Sequence, residues 1–91
     1  MKIKDKAFAG TLESSDIFIQ VFPGSNGLEL QLDSIVMAQY GNALRQAIEE
    51  TLQEFDVKDV CIIAQDRGAL DCTVKARLET ALKRAERGTE Q

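Results

Sequence analysis

The sequence predicts an α+β fold of two layers, an antiparallel sheet covered by two helices, in the order β-β-β-α-β-α over a single domain of residues 1–91. Three observations predict it. The first third of the chain is dense in β-branched and aromatic residues broken by turn formers. Two later segments repeat apolar residues at helical spacing, and a short apolar run stands between them.

Ala7 to Leu12 alternates small and larger residues, and Ile17-Phe18-Ile19-Gln20-Val21-Phe22 is β-branched and aromatic, so the two read as strands joined by a turn over Glu13 to Asp16. The turn formers Pro23-Gly24-Ser25-Asn26-Gly27 lead into Leu28-Glu29-Leu30-Gln31-Leu32-Asp33, whose strict alternation sends three leucines to a core and leaves the other face wet. Asp33 or Ser34 caps a long helix with apolar positions Met37, Tyr40, Leu44, Ala47, Ile48, Thr51, Leu52 and Phe55, while Arg45, Gln46, Glu49, Glu50 and Gln53 fill its outer face. Gly41 inside this helix costs propensity, which a close approach to a strand or a partner compensates.

Val60-Cys61-Ile62-Ile63-Ala64 fits a strand buried on both faces. Asp66-Arg67-Gly68 then turns the chain into a closing helix, with Leu70, Val74, Leu78, Ala81, Leu82 and Ala85 on one stripe and Lys75, Arg77, Lys83 and Arg84 outside it. Cations in its last turns complement the helix dipole. Lys4, Asp5 and Lys6 read as a solvated arm, and Arg87 to Gln91 as a fraying tail.

Composition narrows the function classes. Fifteen acidic against eleven basic side chains give a formal charge of −4, which argues against nucleic-acid binding because phosphate backbones demand a cationic face. No apolar run is long enough to cross a bilayer, and Met1-Lys2-Ile3-Lys4-Asp5-Lys6 lacks the apolar core of a secretory signal, so a cytoplasmic location is expected, with no membrane partner. Cys61 and Cys72 have neither the spacing nor the histidines of a zinc site and read as reduced, packing thiols. With no histidine, a self-contained serine hydrolase lacks its base, and no glycine-rich phosphate loop is present either.

The residue that stands out is Ser14, a hydroxyl at a hairpin tip between two acidic neighbours. Bulky groups are accommodated at loop tips and not inside packed layers, so this position suits covalent attachment. Three separated stretches, Ala9-Gly10-Thr11-Leu12-Glu13-Ser14, Tyr40-Gly41-Asn42-Ala43-Leu44-Arg45, and Asp66 through Leu78 with its Lys75-Ala76-Arg77-Leu78, make the chain resemble the acyl carrier protein, or γ subunit, of citrate lyase. The resemblance implies that Ser14 carries a covalently bound 2'-(5''-phosphoribosyl)-3'-dephospho-coenzyme A through a phosphodiester, whose thiol holds acetyl or citryl during cleavage of citrate to acetate and oxaloacetate. It implies no catalytic residue in the carrier itself. It further implies as partners the citrate lyase α subunit (acyl transferase), the β subunit (citryl lyase), a holo-carrier synthase and an acetylating ligase. One position departs from the family: the residue after the serine is commonly glycine there and is Ser15 here, which leaves the turn type open and sets a second hydroxyl beside the first.

Other readings stay open on the residues alone. Glu13 and Asp16 serve either as recognition points for the modifying transferase or as solvated turn residues. Asp66 caps the last helix while Gly68 relieves backbone strain, or else Asp66 or Arg67 meets a partner or the cofactor phosphates. A sibling reading is the acyl carrier of malonate decarboxylase, which uses the same prosthetic group, although the Gly10 to Ser14 and Asp66 to Cys72 runs fit citrate lyase better. A non-catalytic adaptor that pairs a free β edge with a partner is the alternative from another class.

Overall fold

In a computed structural model the chain forms β1 (Ala7–Gly10), β2 (Ile17–Pro23), β3 (Leu28–Ser34), α1 (Met37–Glu54), β4 (Val60–Asp66) and α2 (Asp71–Arg87). The structure describes residues 1–35 and 37–87, with the backbone alone for 37–39. Element order and the two-layer arrangement follow the sequence reading. The strands run β1-β2-β4-β3, with β1 antiparallel to β2 and β2 antiparallel to β4, but β3 parallel to β4. The sheet is therefore mixed and not purely antiparallel. The reason is the crossover: β3 and β4 are joined through the 18-residue helix α1, a connection of the length that returns the chain to run in the same direction.

The core lies between the sheet and the two helices. Alternation along β2 and β4 buries Ile17, Ile19, Val21, Val60, Ile62 and Ala64, against which α2 sets Val74, Leu78, Ala81, Leu82 and Ala85, and α1 sets Leu44, Ala47, Ile48 and Leu52. Thr51 is buried with them because its hydroxyl donates to the Ala47 carbonyl at 2.9 Å, which satisfies the one polar group it brings.

Several expectations change in detail. β1 ends at Gly10, since Gly10 has φ +92° and a Cβ there would collide with the Ile17 carbonyl oxygen. The helix-free face of β4 is only half-buried at Cys61, Ile63 and Gln65, so this strand is fully buried on one face and not on both. That open face carries Phe8 and Phe18, with ring centroids 5.7 Å apart. Tyr40 and Leu70, placed on apolar stripes by periodicity, are exposed because Tyr40 lies in the first turn of α1 and Leu70 in the loop just before α2, beyond the end of the sheet. The side chain of Met37 and residues 88–91 lie outside the described part. Cys72 is exposed and Cys61 half-buried, both as free thiols, so only Cys61 packs.

The segment before β1 is not a solvated arm. Ile3 is buried, and the amides of Lys4 and Asp5 donate to the Ala85 carbonyl at 3.1 and 3.3 Å, satisfying an acceptor near the end of α2. Arg84 Nη1 donates to the Phe8 carbonyl at 2.9 Å and so occupies an acceptor on the edge strand β1, which counts against strand addition there. Among the described residues, no helix is long and apolar enough to cross a membrane.

Candidate functional site

One end of the sheet gathers the chemistry. The register pairs Gly10 with Phe18, Ile17 with Asp66, and Ser34 with Asp66, so the β1–β2 loop, the end of β3 and the β4–α2 loop all meet there. Both helices also begin at this end, because each follows one of the two parallel strands.

Ser14 is exposed on the loop of residues 11–16, and its hydroxyl makes no side-chain hydrogen bond among the described residues. Most of its neighbours, in contrast, are held by hydrogen bonds. The Thr11 hydroxyl accepts from the Glu13 amide at 3.2 Å and donates to Asp16 Oδ2 at 2.6 Å. The Asp16 amide donates to the Glu13 carbonyl at 3.2 Å, the Ser15 amide to the Arg67 carbonyl at 2.8 Å, and the Arg67 amide back to the Asp16 carbonyl at 2.9 Å. These last two bonds prolong the β2–β4 ladder past its strands and fix Ser14 at the turn beyond them. Ser15 has φ +66°, the left-handed conformation that glycine adopts without strain, so Ser15 is the point where this turn reverses.

Asp16 is buried and is neither a solvated turn residue nor a surface recognition point. Its carboxylate accepts from Arg77 Nε at 3.0 Å on Oδ1 and from Arg77 Nη2 at 3.0 Å on Oδ2, a two-pronged guanidinium pair, and Oδ1 also accepts the Ile17 amide at 2.7 Å. Desolvation pushes this carboxyl upward. The Thr11 hydroxyl, the Arg77 fork, the Ile17 amide and the Arg77 charge together outweigh it and hold the group at about 2. So weak a base is poorly suited to take the proton from a serine hydroxyl, and the chain has no histidine to take that part.

Asp66 organises the neighbouring loop. It is fully buried, accepts the Ser34 hydroxyl at 2.8 Å and the Gly68 amide at 3.1 Å on Oδ2, and accepts the Ala69 amide at 3.0 Å on Oδ1. Because α2 begins only at Asp71, Asp66 closes the turn of residues 66–69 and does not cap the helix. The Ser34 hydroxyl also donates to Asp66, and α1 starts at Met37. Gly68 does relieve strain, with φ +89°. Arg67 is half-exposed, its Nη1 donating at 3.1 Å to the carbonyl of Asp66.

Sequence reasoning thus placed Ser14 on an exposed turn and found the Asp66 turn, but missed Thr11 and Arg77 as parts of the serine loop. Arg77 falls outside the apolar stripe of α2, and its partner is 61 residues away, so periodicity carried no signal of the pairing. Its presence in one of the stretches that resemble the carrier family was the only hint.

Over all of this chain and 97% of the other, the protein is 52% identical to the citrate lyase acyl carrier protein of Halothermothrix orenii. The chain belongs to the citrate lyase acyl carrier protein family. The family member of Treponema denticola is 47% identical over 93% of this chain and 97% of its own. Residues 4–85 match the family described as Malonate decarboxylase delta subunit (MdcD). The fold recurs in a chain of the crystal structure of a Pseudomonas malonate decarboxylase hetero-tetramer in complex with malonate, with TM-score 0.75, 23% identity and coverage of 91% of this chain and 86% of that one.

Proposed function

We propose that the protein is the non-catalytic carrier subunit of a cytoplasmic citrate lyase and bears its acyl cargo on a phosphoribosyl-dephospho-coenzyme A arm joined to Ser14. The observation that carries this reading is the contrast at the loop: the Ser14 hydroxyl is exposed and makes no side-chain hydrogen bond, at the tip of a turn whose Thr11, Glu13, Ser15 and Asp16 are held by hydrogen bonds, Ser15 through its amide. A phosphodiester needs a free oxygen and open space, and Ser14 offers both. The arm supplies a thiol on which acetyl or citryl is held as a thioester.

The chain's own residues present the attachment point. Thr11, Asp16 and Arg77 fix the loop to α2, and the bonds between Ser15, Asp16 and Arg67 fix it to β4. A rigid anchor sets where the tether starts, and a tethered group meets its enzymes at an effective concentration set by tether length. Deprotonation of Ser14 falls to a separate transferase, since Asp16 is committed to Arg77. The α subunit and the β subunit of the lyase then act on the cargo, consistent with the multi-subunit setting named for the malonate decarboxylase neighbour.

Intact-mass measurement on protein co-produced with its modifying enzymes tests the reading. The expected result is a mass gain equal to the arm, absent in Ser14→Ala, with citrate cleavage by the reconstituted complex lost in that variant. Cleavage that persists in Ser14→Ala would overturn it. A second reading, the carrier of malonate decarboxylase, is favoured by the family match over residues 4–85; it predicts that the loaded chain supports malonate decarboxylation and not citrate cleavage.

A further inference from the structure

Tyr40 and Leu70 occupy apolar positions of the helical pattern, yet are 57% and 71% exposed. Water-facing apolar side chains are ordinary singly, but these two border the same cavity, which holds about 400 Å³ and is lined by Tyr40, Ala43 and Leu44 of α1 and by Gly68, Ala69 and Leu70 of the loop before α2. Small residues form much of its wall, Asp71 is its one carboxylate, and its size falls in the range that takes a small-molecule segment.

The cavity lies beside the attachment point. Ser15 is bonded to Arg67 at 2.8 Å, and Gly68, the next residue, is part of the lining. Summing one residue step, one ladder spacing and a second step, Ser14 and Gly68 are separated by roughly 13 Å at most, Cα to Cα. An arm containing two riboses, an adenine and a pantetheine chain is longer than that span.

Resting on the carrier reading, we infer that this cavity is a docking site for the acyl-bearing end of the molecule's own Ser14 arm. Covering Tyr40 and Leu70 removes apolar surface from water, and lodging the thiol end there shields its cargo from hydrolysis. The affinity required is small. A short tether supplies a local concentration on the order of millimolar, so a millimolar site is about half occupied and still releases the arm to an enzyme that binds it more tightly. The occupant is the arm and not a second copy, because the tether begins beside the lining and supplies that concentration within one molecule.

Tyr40 reports on the cavity directly, as the chain has one tyrosine and no tryptophan. The experiment compares acrylamide quenching of Tyr40 fluorescence in the unmodified chain, the fully loaded chain and loaded Leu70→Asp, with intact mass recorded on each. The quenching constant is expected to fall by about twofold on loading, as half-occupancy requires, and to return to the unmodified value in loaded Leu70→Asp. Equal quenching before and after loading, with the mass showing a complete adduct, would overturn the docking site and leave the carrier reading intact. An absent adduct on Ser14 sinks the carrier reading and the docking site together. Protection that appears in the unmodified chain and grows with protein concentration would assign the cavity to a second copy, against this inference.

Discussion

The two loops at the functional end are each built around one carboxylate, and they are built differently. The β4–α2 loop closes on Asp66, which is fully buried and takes one hydroxyl and two amides from residues within three positions of it or on the adjoining strand. The β1–β2 loop closes on Asp16, which takes a hydroxyl, an amide and a guanidinium from a helix far away in sequence. Asp66 therefore secures a local turn, whereas Asp16 ties the serine loop to another element of the fold. On the proposed carrier reading, a loop that presents one hydroxyl to successive enzymes gains from the second arrangement, because an exposed turn is otherwise the least constrained part of a domain.

That difference orders the effects of breaking each loop. Asp66→Ala leaves two amides and a hydroxyl without their acceptor around a carboxylate that is itself fully buried, and is expected to cost about 3 kcal/mol. Against the roughly 5–15 kcal/mol that holds a domain folded, this brings the chain close to unfolding. Urea denaturation measures it, and a loss below about 1 kcal/mol would mean that Asp66 does not organise its loop.

Asp16→Asn keeps the shape of the side chain and removes its charge, and the expected cost is smaller, about 1–2 kcal/mol, because the Arg77 side chain is 43% exposed and solvent screens the pair. The pH dependence separates the two loops further. Asp16 has its folded value depressed to about 2 from an ordinary 3.8, so its contribution is complete above the ordinary value and is lost as pH falls through the folded one. Wild-type stability should therefore decline between about pH 4 and pH 2 in a step that Asp16→Asn lacks. Arg77→Met should move that step to higher pH, since burial then acts on Asp16 with its cation gone. Unchanged acid denaturation curves for both variants would show that the clamp contributes nothing.

How much of this end was legible in the sequence follows from the range of each interaction. Elements set by local patterning were readable: the alternation of Leu28, Leu30 and Leu32, the helical stripe from Leu44 to Leu52, and the exposed serine between two strand patterns. The parallel pairing of β3 with β4 was not read, because alternation is the same whichever way a neighbour runs. Asp16 carried no local mark of burial. An aspartate at a turn next to a serine has the composition of a solvated loop, and only its distant partner Arg77 changes what it is. Tyr40 and Leu70 misled for the opposite reason: their spacing is that of a core, but the sheet they would cover has already ended.

The smallest expected effect concerns Ser15. In the left-handed region an ordinary residue is disfavoured by about 1 kcal/mol, whereas glycine is at ease there but loses more chain entropy on folding. Ser15→Gly should therefore stabilise the protein by only about 0.5 kcal/mol. The sharper readout is modification. The Ser15 amide donates to Arg67 whichever residue supplies it, so the loop geometry is kept and Ser14 should be loaded at an unchanged rate and to full extent in Ser15→Gly. If loading fell to half or the adduct mapped to the second hydroxyl in wild type, Ser15 would be an acceptor in its own right and not the hinge of the turn.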